Sequence, residues 1–257
     1  MRPTNLKKIN EAFTLQAPAF ESSTYHLSKQ EYLDYTVRKT NPVSTDTILE
    51  VAAGTCVCGR SLARHAGHVV CLDATPAMLE VGRSEAEKDD MSNITFVKGY
   101  AEELPFLDDC FDIVISRLAF HHFVDVNAAF SEMVRVLKPG GKLVMIDMVA
   151  MDKSLREKVD YIEGLRDPSH VRNLTLNEMS ELYVNSGLAL ITQEIIEIPV
   201  SLESWMDLTH TSETVRTEIR HYMEQELEGI RQAGFSPYWY HGNIYFHHHW
   251  VYNLAIK

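Results

Sequence analysis

From Thr47 to Met148, short apolar runs alternate with stretches of helical spacing, and this alternation leaves the chain few architectures. Thr47 to Val51 reads as a buried strand, followed by a small-residue turn and a helix through Leu62 and Ala63. His68 to Leu72 is a second strand, ending at Asp73. Thr75 and Pro76 open the next helix, with threonine as N-cap and proline at the first helical position. Ile94 to Val97 and Phe111 to Ile115 are the third and fourth strands. Asn127 to Leu137 carries helical spacing, Pro139-Gly140-Gly141 ends it sharply, and Lys142 to Met148 is the fifth strand. Strands and helices in this order build βαβ units and a parallel, doubly wound sheet. Right-handed crossovers bring the strand C-termini to one edge, where ligands bind near the switch in strand order.

The flanks are less regular. Residues 1–45 are expected to be helical, with Phe13, Phe20, Tyr25, Tyr32 and Tyr35 giving aromatic contacts, and Asn41-Pro42-Val43-Ser44 reads as a linker. Thr175-Leu176-Asn177-Glu178 is a capping-box signature, and Gly187 suits that helix's end. Leu188 to Val200 reads as a strand, Glu213 to Ala233 as a long polar helix, and Asn243 to Ile256 as a last strand. The expectation is a single α/β domain over 1–257. Its core is a Rossmann-like doubly wound sheet of seven strands, mostly parallel with an antiparallel last strand, helices on both faces.

Bulk properties narrow the function. A chain of 257 residues can bury a substantial core, and 45% hydrophobic with 23% charged residues is ordinary for a globular protein. A net charge of −12 argues against a nonspecific nucleic-acid binder and against an anionic membrane surface. There is no run of 18 apolar residues, so no membrane-spanning helix is predicted, and the start from Met1 to Lys8 lacks a following signal core. Cys56, Cys58, Cys71 and Cys110 form neither a CxxC pair nor a zinc spacing, and are expected to be reduced thiols in a cytoplasmic protein.

The strongest constellation is Ile48-Leu49-Glu50-Val51-Ala52-Ala53-Gly54-Thr55, then Asp73 at the next strand's end. A small-residue turn lets backbone approach a ligand, and an acid roughly 20 residues on is placed to accept both hydroxyls of a ribose. Met78 follows one helical turn past the acid, where a soft side chain can flank adenine. Gly99-Tyr100-Ala101-Glu102-Glu103-Leu104-Pro105-Phe106, Phe111-Asp112-Ile113-Val114-Ile115-Ser116-Arg117 and Val136-Leu137-Lys138-Pro139-Gly140-Gly141 come next in order.

That order resembles the class I S-adenosylmethionine-dependent methyltransferases. The likeness is greatest to the branch with the ubiquinone and menaquinone C-methyltransferases and their bacterial relatives (methyltransferase type 11). It spans almost the whole chain and extends to Arg166-Asp167-Pro168-Ser169-His170-Val171-Arg172. The resemblance implies a cofactor half over 46–150, an acceptor half over 151–257 and a helical lid over 1–45. Glu50, Ala52, Ala53 and Gly54 would border the methionine part of S-adenosylmethionine. Asp73 would hold the ribose, with Ala74 and Met78 beside it. Tyr100, Ala101 and Glu102 would lie by the adenine. Ser116, through its carbonyl, and Arg117 would complete the cofactor site. Ala52 and Cys56 stand where the family usually has glycines, and Tyr100 where it usually has aspartate.

His121 and His122 lie just beyond the fourth strand, at the edge where a transferable methyl should point, and are the candidate catalytic residues. Arg166, His170 and Arg172, with Asp167, form a polar, loop-like candidate substrate-binding cluster. His247, His248 and His249 sit inside the last strand with alternating faces, so no metal site is expected there. The expected partner is a small-molecule methyl acceptor, with neither nucleic acid nor membrane insertion; a homodimer is left open. The alternative is an inactive cofactor-binding protein acting as sensor or partner subunit. A nicotinamide oxidoreductase would want Gly-x-Gly-x-x-Gly after the first strand, which the turn from Ala52 to Cys56 does not supply.

Overall fold

The computed structural model describes residues 4–21 and 29–257. Tyr25 and the first three residues therefore lie outside the described residues. Two helices, α1 (Leu6–Gln16) and α2 (Gln30–Thr40), precede the sheet. The alternating region then runs β1 (Thr47–Val51), α3 (Val57–Ala63), β2 (His68–Asp73), α4 (Pro76–Lys88), β3 (Ile94–Lys98), β4 (Phe111–Arg117), α5 (Val126–Val136) and β5 (Leu137–Met148). After it come α6 (Arg156–Arg166), α7 (Leu176–Asn185), β6 (Ala189–Ser201), α8 (Leu202–Leu208), α9 (Glu213–Leu227), β7 (Tyr238–Tyr240) and β8 (Asn243–Ile256).

The strands form one sheet in the order β3-β2-β1-β4-β5-β8-β6, with β7 paired to β8. Neighbours from β3 to β5 are parallel, and β8 runs antiparallel to β5, β6 and β7. The short β7 hairpin partner makes eight strands rather than the expected seven. Strand alternation explains the layers. Ile48, Val69, Cys71, Ile113, Ile115 and Val144 face one core, which also takes Leu62 of α3, Leu79 of α4 and Trp205 of α8. Leu49, Val51, Leu72, Val114, Leu143 and Met145 face the other, under Phe130 of α5 and Tyr183 of α7. Burial on both faces is what a parallel sheet between helices demands.

Local signals account for most boundaries. Asp125 caps α5, its carboxylate accepting the Ala128 N–H at 2.9 Å, and Val126, Ala129, Phe130 and Met133 form its buried stripe. Thr175 and Glu178 make the expected capping box on α7. Thr75 holds the N-cap position of α4, but its hydroxyl makes no capping bond. The fifth strand starts earlier than expected, because Leu137 turns extended and pairs with Phe111 before the proline and glycines. The polar helix α9 ends at Leu227, short of Ala233, and Gly229 follows with a left-handed φ of 72°. The helix α6 is absent from the sequence reading, so Arg166 is a helix end rather than a loop residue. No helix among the described residues is long and apolar enough to cross a membrane.

Candidate functional site

Strand order reverses between β1 and β4, so the chain leaves these two strands toward opposite sides and a crevice opens at their C-terminal edge. A cleft occupies that place, with about 1340 Å³ of atom-free space, part of it open to solvent. Its wall is built differently at its two ends.

The β1–β2 end is built from backbone. Ala52, Gly54 and Cys56 all take left-handed φ values, of 55°, 56° and 61°. The turn thus keeps the backbone shape that glycines adopt freely, although alanine and cysteine occupy two of the three positions. Asp73 ties the turn to β2: its Oδ2 accepts the Gly54 N–H at 2.8 Å and its Oδ1 accepts the Thr75 N–H at 2.7 Å. Burial raises the Asp73 pKa, and these backbone donors work against the rise. Two of the carboxylate's four lone-pair sites are used this way, which leaves acceptor capacity for hydroxyl donors in the cleft.

Glu50, at the end of β1, is buried and accepts the Gly59 N–H at 2.8 Å. A Cβ on Gly59 would crowd that carboxylate and the Cys71 sulfur, so any larger residue there would have to push them aside. Burial pushes the Glu50 pKa up to about 7. Burial also raises the pKa values of Cys56, Cys58 and Cys71, which keeps these thiols protonated. Met78, 1% exposed, and Tyr100, Ala101 and Glu102 after β3 complete this end.

The β4–β5 end is built from side chains. After β4 the chain makes one short 3-10 turn, Phe120–His122, which buries both histidines. His121 Nδ1 lies 2.5 Å from Asp147 Oδ1, and the other oxygen of Asp147 accepts the Ala119 N–H at 3.1 Å and the Phe120 N–H. Burial opposes a charge on His121, but the Asp147 carboxylate and its hydrogen bond outweigh it, and the His121 pKa is raised. His122 Nδ1 lies 3.1 Å from Ser169 Oγ, and burial, with His121 beside it, lowers the His122 pKa. The two rings are 4.1 Å apart yet are driven in opposite directions. Glu163 pairs with Arg166 at 3.2 Å and with His248 at 3.4 Å. Arg166 lies 4.6 Å above the Trp205 ring.

Helix α1 closes over both ends. Ile9, Phe13 and Gln16 line the cleft, as does Phe20 just after it. Phe13 meets the His122 ring edge-on at 5.0 Å, and Asn5 donates to the His122 carbonyl at 3.0 Å.

Of the candidate site residues drawn from the sequence, fifteen line the cleft: Glu50, Ala52, Ala53, Gly54, Asp73, Ala74, Met78, Tyr100, Ala101, Glu102, Arg117, His121, His122, Arg166 and Asp167. Three do not. Ser116 lies buried within β4, paired with Met145. His170 bonds Asp160 at 2.9 Å, and Arg172 turns to Glu178 at 2.8 Å. The sequence reading missed Asp147, Ser169 and Glu163. Asp147 had a signal, as a charged residue inside the apolar run Leu143 to Met148; Ser169 stood inside the singled-out segment Arg166 to Arg172 without being given a role; Glu163 had none.

A mostly parallel sheet with β8 inserted antiparallel, and a cleft at the β1/β4 switch, define a Rossmann-like methyltransferase fold. Residues 49–145 match the family described as methyltransferase domain (type 11). The uncharacterized protein YafE of Escherichia coli is 38% identical over 170 residues, 66% of this chain and 82% of that protein. A demethylmenaquinone methyltransferase of Clavibacter sepedonicus is 31% identical over 201 residues, 77% of this chain and 79% of that one. The crystal structure of YcgJ from Bacillus subtilis superposes with a TM-score of 0.82 at 28% identity, covering 89% of this chain and 99% of the other. The chain belongs to the class I methyltransferase family, in the branch that holds the demethylmenaquinone methyltransferases.

Proposed function

We propose that the chain transfers a methyl group from S-adenosylmethionine to a small protic molecule. The observation that supports this most is Asp73, a buried carboxylate on the cleft wall, held by the backbone N–H groups of Gly54 and Thr75 with acceptor capacity to spare. Ribose hydroxyls would use that capacity. Glu50, Ala52, Ala53 and Gly54 would hold the amino-acid part, with Ala74, Met78, Tyr100, Ala101 and Glu102 around the adenine. When bound, the cofactor supplies an electrophilic methyl on a sulfonium.

The protein's own work is then to orient the acceptor, exclude water and take one proton. His121 suits the proton. Its Nδ1–H donates to Asp147, which leaves Nε2 as the basic nitrogen, the arrangement a general base needs. Helix α1, with Phe13 and Phe20 on the cleft, would act as the lid. Arg166 would border the acceptor, while His170 and Arg172 would act only by supporting the loop.

Calorimetric titration with S-adenosylmethionine, S-adenosylhomocysteine and NADH tests the reading. The first two should bind and NADH should not. Asp73→Ala should weaken binding by about 100-fold or more, the loss expected from charge-assisted hydrogen bonds. Failure of both adenosyl compounds to bind would overturn the proposal. With an acceptor in hand, the rate should rise with pH through the raised pKa of His121, because only the deprotonated ring can take the proton.

A further inference from the structure

The segment Asp167-Pro168-Ser169-His170 approaches the histidine pair from the start of the second half of the chain. Ser169 Oγ lies 2.5 Å from Asp167 Oδ1 and 3.1 Å from His122 Nδ1. A hydroxyl has one proton and can donate only once. An ionised carboxylate accepts and never donates, so that proton goes to Asp167. The serine oxygen must then accept from His122, which places the ring proton on Nδ1. Asp167 stays ionised: burial opposes its charge, but the adjacent His122 ring, Arg166 and the bonds from the Ser169 hydroxyl and N–H hold its pKa below the ordinary carboxylate range. Gln16 Nε2 reaches the other oxygen of Asp167 at 3.4 Å, another donor that suits a carboxylate.

We propose that Asp167 and Ser169 are positioning residues that lock His122 as its Nδ1–H tautomer and leave Nε2 as a fixed hydrogen-bond acceptor on the cleft wall for an O–H or N–H of the methyl acceptor. His122 Nε2 has no hydrogen bond among the described residues, and its ring lines the cleft. The groups that face this ring are His121, His170 and Asp167. His121 is tied to its own carboxylate, so the two rings have separate duties. His121 exchanges a proton, and His122 selects and orients acceptors that carry a donor. The use of Nε2 rests on the methyl-transfer reading; the tautomer does not.

Nitrogen-15 spectra of the full chain, labelled at histidine, tell protonated from unprotonated ring nitrogens, and the His122 signals are identified by their loss in His122→Asn. At pH 7 the Nδ1–H tautomer of His122 should be in at least about tenfold excess. Asp167→Ala should weaken it: Asp167 Oδ1 accepts both the N–H and the hydroxyl of Ser169, and without that acceptor the hydroxyl proton is free to turn toward His122 Nδ1 and let the ring proton move to Nε2. Ser169→Ala should leave a mixture, which keeps the test open if the first variant folds poorly. Phenol, a minimal O–H donor, should move the Nε2 signal, and anisole should not. A wild-type Nε2–H tautomer, a preference indifferent to both substitutions, or a signal indifferent to phenol would overturn the proposal. Titration of the same sample with S-adenosylhomocysteine separates the outcomes. Failed cofactor binding sinks the methyl-transfer reading, whereas a wrong tautomer sinks only this inference.

Discussion

The two ends of the cleft sit on one sheet edge but are made of different materials. At the β1–β2 end, three left-handed residues and two carboxylates, Glu50 and Asp73, shape the wall, and most of the hydrogen bonds come from main-chain N–H groups. At the β4–β5 end, His121, His122, Asp147, Glu163, Arg166, Asp167 and Ser169 bond largely to one another. A backbone wall tolerates changes of side chain as long as the φ values survive. A side-chain network does not, because each member is buried and each leaves a partner stranded when removed.

The comparison breaks most visibly at Asp147. Asp147→Ala would strand a charged or donor-bearing His121 and the Ala119 and Phe120 N–H groups, and should cost about 3–5 kcal/mol, the usual loss on breaking a buried pair. Denaturant unfolding at neutral pH checks this. A loss below 1 kcal/mol would mean that the network is not what holds this end.

Glu50 should behave oppositely. Its folded pKa of about 7 lies above its ordinary value of 4.5. Its contribution is fully present below about pH 4.5 and is lost as pH rises toward 7, of order 3 kcal/mol for a shift of this size. Glu50→Gln can still accept the Gly59 N–H, so it should fold and should flatten that stretch of the stability–pH curve. Asp147 and Asp167, with lowered pKa values, contribute above the ordinary carboxylate range and lose that contribution as the solution turns acid. Thermal melts from pH 2 to 8 would show both signs.

The smallest effect sharpens the comparison from the other side. Ala52 pays a steric penalty at φ 55°, so Ala52→Gly should raise stability by about 0.5–1 kcal/mol. An unchanged or lower melting temperature would show that the turn is not under backbone strain.

Legibility in the sequence follows the same division. The alternating strands and the β1–β2 wall were readable because their signals are local: a small-residue turn, an acid at a strand end, Thr-Pro at a helix start. The side-chain wall was readable at His121 and His122, and in part at Arg166 and Asp167. Its other members come from 26 residues away at Asp147 and 47 at Ser169, and no spacing rule links them. Arg166 was noticed, but as part of a loop. The helix that carries it has a weak apolar stripe, with only Ile162 as a buried aliphatic residue.

The place of β8 has a consequence for the order in which the molecule can be made. Strand β6 leaves the ribosome first, yet its sheet neighbour is β8, and β8 is what links it to β5. At synthesis rates of about 5–20 residues per second, the stretch from Ser201 to Asn243 keeps β6 waiting for a few seconds with both edges open. Glu194, Glu197 and Pro199 along β6 are the kinds of residue that discourage a passing strand from pairing there. When β8 arrives it joins the outer strand to the five already laid down, so its synthesis marks the moment at which a nascent chain can complete one continuous sheet.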